Sequence, residues 1–160
     1  MISSIIVDLD GPILDGKLRH YHCYNDILKE SGYTGMAMDE YWEMKRNRID
    51  RREQLAVSNA EGIYDQFLAS WKKRIEERKY LAYDKLQPGA IERIEEWKGL
   101  GIKIILTTLR NNRENLVWQL GSLDLMAYFT HIVALGTDAG ANDKGDAILE
   151  FLGPNKNESL

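Results

Sequence analysis

The chain has 160 residues, 44% of them hydrophobic, with a formal net charge of −4 and a sequence pI near 5.4. That length and apolar content can bury one core with room for a small insertion and exclude a disordered chain, while the acidic balance argues against a general nucleic-acid binder. The single cysteine, Cys23, excludes an internal disulfide and a zinc cluster, and no stretch approaches the roughly 18 apolar residues of a membrane span.

No basic leader precedes the first apolar run, so the expected location is the cytoplasm. That run is Ile5-Ile6-Val7-Asp8-Leu9-Asp10-Gly11-Pro12. Three branched aliphatics running into a carboxylate predict a strand buried on both faces, as in a parallel sheet, with a polar end. In open α/β sheets the ligand crevice lies beyond the carboxyl ends of the strands, so Asp8 is presented to a site. Asp10 follows two residues on, which in an extended segment points it to the same side, and Gly11-Pro12 turns the chain there. Asp-x-Asp-Gly has a purely structural alternative, the aspartates serving as turn formers or helix caps.

From Lys17 to about Tyr83 no convincing strand is found. Leu18, Tyr21, Tyr24 and Leu28 recur at helical spacing until Ser31-Gly32. Asp39 is expected to cap a second helix, Asp50 a third, and a long fourth is predicted from about Glu61 through Lys79. The basic run Lys45-Arg46-Asn47-Arg48 with Arg51-Arg52 reads either as a hold on an anion or as a solvated helix face paired with neighbouring acids.

From Gln87 the pattern alternates helix and strand. Pro88 suits a helix start, Ile91, Ile94 and Trp97 form an apolar face, and Gly99 and Gly101 end the helix before a strand from Ile102 to Leu106. Thr107-Thr108-Leu109-Arg110-Asn111-Asn112 leads from that strand into a helix bearing Leu116 and Leu120. A threonine hydroxyl beside the free N–H groups of a following helix is a seat for a phosphate oxygen, or else an N-cap. Neighbouring strand residues face opposite sides, so only one of Thr107 and Thr108 points into a site. A third strand, His131 to Leu135, is followed by the loop Gly136-Thr137-Asp138-Ala139-Gly140. Asn142 or Asp143 then caps a last helix with Lys144 in its first turn. A cation placed against the helix dipole makes sense if it faces an anion, with an exposed lysine as the alternative.

Asp8-Leu9-Asp10-Gly11 after a hydrophobic strand, a second apolar strand ending in Thr107, and Lys144 after a third resemble three of the four signature motifs of the haloacid dehalogenase-like superfamily. The resemblance spans the whole chain. It implies an α/β fold, a Rossmann-like parallel sheet flanked by helices, formed by residues 1–16 and 84–160. Residues 17–83 stand where the family inserts a helical cap. It also implies phosphoryl transfer: Asp8 as nucleophile, Asp10 as general acid and base, Thr107 and Lys144 as phosphate-binding catalytic groups, and Mg²⁺ held by Asp8 and Asp10. Thr107 or Thr108, Lys144 and Arg110 form the expected substrate-binding set, and Arg46 and Arg48 are further candidates for the substrate. Asp10 favours a phosphatase over a dehalogenase, and the expected reaction is phosphoglycolate-phosphatase-like hydrolysis of a small phosphate monoester.

Two departures stand beside the resemblance. Pro12 occupies the place where the family usually has threonine. The fourth motif, a strand ending in further metal-binding acids, is not found; Gly145-Asp146 with Glu150 imitates its letters inside a helical pattern. Asp138 or Asp143 is a candidate replacement ligand. The chain ends at Glu158-Ser159-Leu160, about where that strand is expected, which suggests a shortened form whose open sheet edge invites self-association. A catalytically weak phosphate or metal binder is therefore the alternative to an enzyme.

Overall fold

The computed structural model describes residues 2–136 together with Gly145 and Asp146. In chain order the elements are β1 (Ser4–Asp8), β2 (Leu14–Asp15), α1 (Lys17–Glu30), α2 (Met38–Arg46), α3 (Arg51–Val57), α4 (Tyr64–Arg74), α5 (Arg78–Leu81), β3 (Lys85–Leu86), α6 (Ala90–Gly99), β4 (Lys103–Leu109), α7 (Arg113–Ser122) and β5 (His131–Leu135). The chain divides into two units, Met1–Asp15 with Lys85–Leu160, and Gly16–Asp84. None of the helices among the described residues is long and apolar enough to cross a membrane.

In the first unit β1, β4 and β5 form a parallel sheet in the order β1-β4-β5. The α/β fold expected from the alternating pattern is the one observed. Leu9, Leu14, Ile94, Ile104, Leu106, Leu116, Leu120 and Leu125 are buried together as its core. Each such side chain contributes about 1.5–3 kcal/mol by leaving water. A short antiparallel ribbon pairs Leu14 with Leu86 and Asp15 with Lys85, a feature too brief for periodicity to reveal. Gly89 enters α6 at φ 77°, a left-handed conformation that glycine adopts without a Cβ penalty.

Expectations change for two of the three strands. β1 is not buried on both faces: among the described residues it pairs with β4 alone, and Ile6 is 39% exposed. β4 starts at Lys103 and continues to Leu109, past the Leu106 end read from the apolar run. The extension has a pairing reason. Thr107 pairs with Asp8 on one side and Val133 on the other, and Leu109 pairs with Leu135, so β-branched threonines that suit a strand are drawn into the ladder. β5 has the bounds read from sequence.

The second unit is helical, with a separate core rich in aromatic rings. Tyr24 stacks on Tyr41 at 4.5 Å and meets Phe67 at 6.1 Å, and Phe67 stacks on Trp71 at 5.8 Å. The polar tips are used as the core closes: Tyr24 Oη and Ser58 Oγ are 2.7 Å apart, and Tyr80 Oη donates to Asp26 Oδ2 at 3.0 Å. Burial pushes the Cys23 thiol up to about 12 and raises Tyr24 and Tyr41 as well. Arg19 and Asp84, near the two ends of this unit, form an ion pair of 3.1 Å with side chains 1% and 0% exposed.

Local expectations in this unit meet mixed outcomes. Asp50 caps α3, accepting from Arg52 N at 2.8 Å. Asp39 does not cap α2: Ala37 precedes the helix, and Asp39 instead pairs with Lys17 Nζ at 2.6 Å. The long fourth helix is two pieces, α4 and α5 after a 3-10 turn at Glu61–Ile63. The break before α5 lets Tyr80 and Leu81 bury, and this packing outweighs the helix propensity of the charged run. Arg51 lies 4.1 Å from the Trp71 ring centroid and Arg52 lies 3.7 Å from that of Tyr64. These two arginines thus stack on aromatic faces of their own unit.

Candidate active site

The carboxyl ends of β1 and β4 build the site. Asp8 is the last residue of β1, and its Oδ1 accepts from Leu9 N at 3.0 Å. The chain then closes a tight turn in which Gly11, at φ 101°, donates its N–H to Leu14 O at 2.9 Å, and Leu14 N donates to Leu9 O at 2.9 Å. Only glycine takes that φ cheaply, and the turn holds Asp10 just beyond the strand.

On β4, Thr107 is the register partner of Asp8. Paired residues on adjacent strands point to the same face, so Thr107 shares the face of Asp8 and Thr108 takes the opposite one. Both threonines are buried, at 3% and 0% exposure, and Thr108 Oγ1 has no hydrogen-bond partner among the described residues. Neither sits at a helix start. The cap of α7 is Asn112, whose side chain accepts from Asn115 N at 2.9 Å, so the N-cap alternative for Thr107 is not the one observed.

The group that follows β4 is Arg110. Its backbone N–H donates to Leu135 O at 2.7 Å, and its Nη2 donates to Asp10 Oδ1 at 2.9 Å. The Arg110 side chain is 7% exposed against 34% for Asp10. The sequence named Arg110 as a substrate contact, and the structure brings it to the second aspartate. No spacing signals such a pair, because its members lie 100 residues apart. Asp8, Asp10, Thr107 and Arg110 are thus gathered at one end of the sheet. Asp138, Asn142, Asp143, Lys144 and Glu150 lie outside the described residues; of the predicted last helix only Gly145 and Asp146 are described, and both are helical. Arg46 and Arg48 belong to the helical unit and are exposed.

The donor chemistry suits a hard divalent cation in kind, since Asp8 and Asp10 offer oxygen atoms. Arg110 commits the Asp10 carboxylate, so a cation here would draw on the Asp8 carboxylate and the Asp10 backbone carbonyl. Among the described residues no group of three or more His, Cys, Asp or Glu gathers to hold a metal.

A family model described as haloacid dehalogenase-like hydrolase matches residues 5–158. The chain belongs to the haloacid dehalogenase-like hydrolases. Solved structures agree in fold with this membership. A haloacid dehalogenase-like family hydrolase from Streptococcus pneumoniae has a TM-score of 0.69 at 18% identity, over 94% of this chain and 69% of that one. A haloacid dehalogenase-superfamily hydrolase of subfamily IA from Geobacter sulfurreducens has 0.68 at 18%, over 94% and 71%. A candidate β-phosphoglucomutase from Thermotoga maritima has 0.54 at 24%, over 83% and 61%. The chain thus spans about two thirds of the length of these haloacid dehalogenase-like relatives, between 61% and 71%, and 64% of a further Streptococcus pneumoniae hydrolase. None of the curated protein sequences compared with it matches.

Proposed function

We propose that this haloacid dehalogenase-like chain hydrolyses small phosphate monoesters through an aspartyl-phosphate, as the phosphoglycolate phosphatases do. The observation that carries the reading is the juxtaposition at the carboxyl ends of β1 and β4: Asp8 beside Thr107, with Asp10 just past the same strand. An Asp8 carboxylate oxygen attacks phosphorus, the bond from phosphorus to the leaving oxygen breaks, and Asp10 gives that oxygen a proton. Asp10 then takes a proton from water, which attacks phosphorus, releases inorganic phosphate and restores the Asp8 carboxylate. Thr107 donates a hydrogen bond to the phosphoryl group, and Lys144 offsets the charge of an anion attacking an anion. Mg²⁺, held by the Asp8 carboxylate and the Asp10 backbone carbonyl, supplies charge neutralisation when bound. We assign substrate selection to the helical unit, in the role of a cap.

The experiment is phosphate release from p-nitrophenyl phosphate, with Mg²⁺ and with chelator, beside Asp8→Asn. Metal-dependent turnover lost in the variant is the expected result. Turnover that survives Asp8→Asn would remove the covalent mechanism. A second reading, phosphate or metal binding without turnover, is favoured by the lack of a third acid gathered at the site among the described residues. Saturable Mg²⁺ binding by a folded protein that releases no phosphate would favour it.

A further inference from the structure

The ion pair of Arg110 with Asp10 joins two segments that the strands deliver independently. Arg110 leaves the end of β4 with its backbone tied to Leu135 O at 2.7 Å, while Asp10 leaves the end of β1 in the turn held by Gly11. Arg110 is the more buried partner, at 7% side-chain exposure, so its guanidinium is a fixed point against which the 34% exposed carboxylate is set. A carboxylate has several rotamers open to it, and a planar guanidinium donor at hydrogen-bond distance narrows them. An acid that must reach one leaving oxygen loses rate steeply when it is misplaced by an ångström.

We infer that Arg110 is a positioning residue for Asp10, holding its carboxylate in the orientation from which it serves the leaving oxygen and the attacking water. The inference rests on the phosphatase reading. It changes the role read from the sequence, in which Arg110 contacted the substrate directly. Arg110 acts through Asp10, so its loss weakens turnover and leaves substrate binding in place.

The test compares the full chain with Arg110→Met and Arg110→Lys, using p-nitrophenyl phosphate and phenyl phosphate. Phenyl phosphate has a similar shape and a leaving group in greater need of a proton, so it reports on the acid. For Arg110→Met we expect kcat to fall about 10- to 100-fold with KM within about threefold, and the loss to be larger on phenyl phosphate. Arg110→Lys should recover part of kcat, since an ammonium also attracts the carboxylate. A rise in KM at constant kcat would overturn the inference and make Arg110 a substrate ligand. Equal losses on both substrates, or no loss, would overturn it as well, leaving the phosphatase reading intact. A wild-type chain without turnover overturns both, and a double-mutant cycle of Arg110→Met with Asp10→Asn on Tm would then show non-additive losses, marking the pair as purely structural.

Discussion

Asp8 and Thr107 are register partners on adjacent parallel strands, so the proposed nucleophile and a hydroxyl donor stand side by side on one face of the sheet. The next residue, Thr108, faces away, with a buried Oγ1 that has no hydrogen-bond partner among the described residues.

The two threonines should therefore respond in opposite ways to the same substitution. Thr107→Val removes a donor to the phosphoryl group and should lower kcat about 100-fold. Thr108→Val replaces an unsatisfied hydroxyl by a methyl group of nearly the same shape and should raise Tm by about 2–4 °C with kcat unchanged. Kinetics and thermal melts on both variants check this, and equal kcat losses would contradict the register argument.

The Arg19–Asp84 pair makes a stability prediction for the helical unit. Both side chains are essentially fully buried, so Asp84→Ala strands a guanidinium away from water and should cost about 3–5 kcal/mol in urea unfolding. The double variant Arg19→Met with Asp84→Leu should recover most of that loss, because it removes both charges together. Gly16→Ala should also destabilise, since a Cβ there would lie 3.0 Å from Arg19 Nη2 and 3.3 Å from His20 Cδ2.

Alkaline pH should loosen the same unit. The Cys23 thiol is raised by burial from 9.0 to about 12, so the folded state holds the proton more tightly than the unfolded chain. Its contribution is complete below pH 9 and is lost as pH rises from there towards 12. Tyr24 and Tyr41, also raised by burial, act in the same direction. The unfolding free energy from urea melts at about pH 10.5 should fall below that at about pH 8, by at most about 2 kcal/mol from the thiol. Cys23→Ala should remove the thiol's share alone. In the native protein at about pH 8 the thiol should resist disulfide reagents until unfolding exposes it.

Much of the scaffold was legible in the sequence because it rests on local rules. Ile5 to Val7 and His131 to Leu135 read as strands from unbroken branched or apolar runs, and α6 and α7 from periodic apolar faces. Asp50 capped its helix as its position beside an apolar run implied. Reading failed where partners distant in the chain decide. The apolar run in β4 stops at Leu106, yet pairing with Asp8 and with β5 carries the strand through both threonines. Asp39 has a cap's composition but finds a nearer use with Lys17. The break before α5 follows from burial of Tyr80 and Leu81, which no glycine or proline announces.

The sequence by itself determined the fold class and the aspartates at the first strand's end, because both depend on residues adjacent in the chain and on the periods of strand and helix. Only the tertiary structure decided which threonine shares the face of Asp8, and that Arg110 meets Asp10 at 2.9 Å. Side-chain face depends on register between strands, and an ion pair across 100 residues depends on where two strand ends finally lie. Neither quantity exists until the sheet has formed.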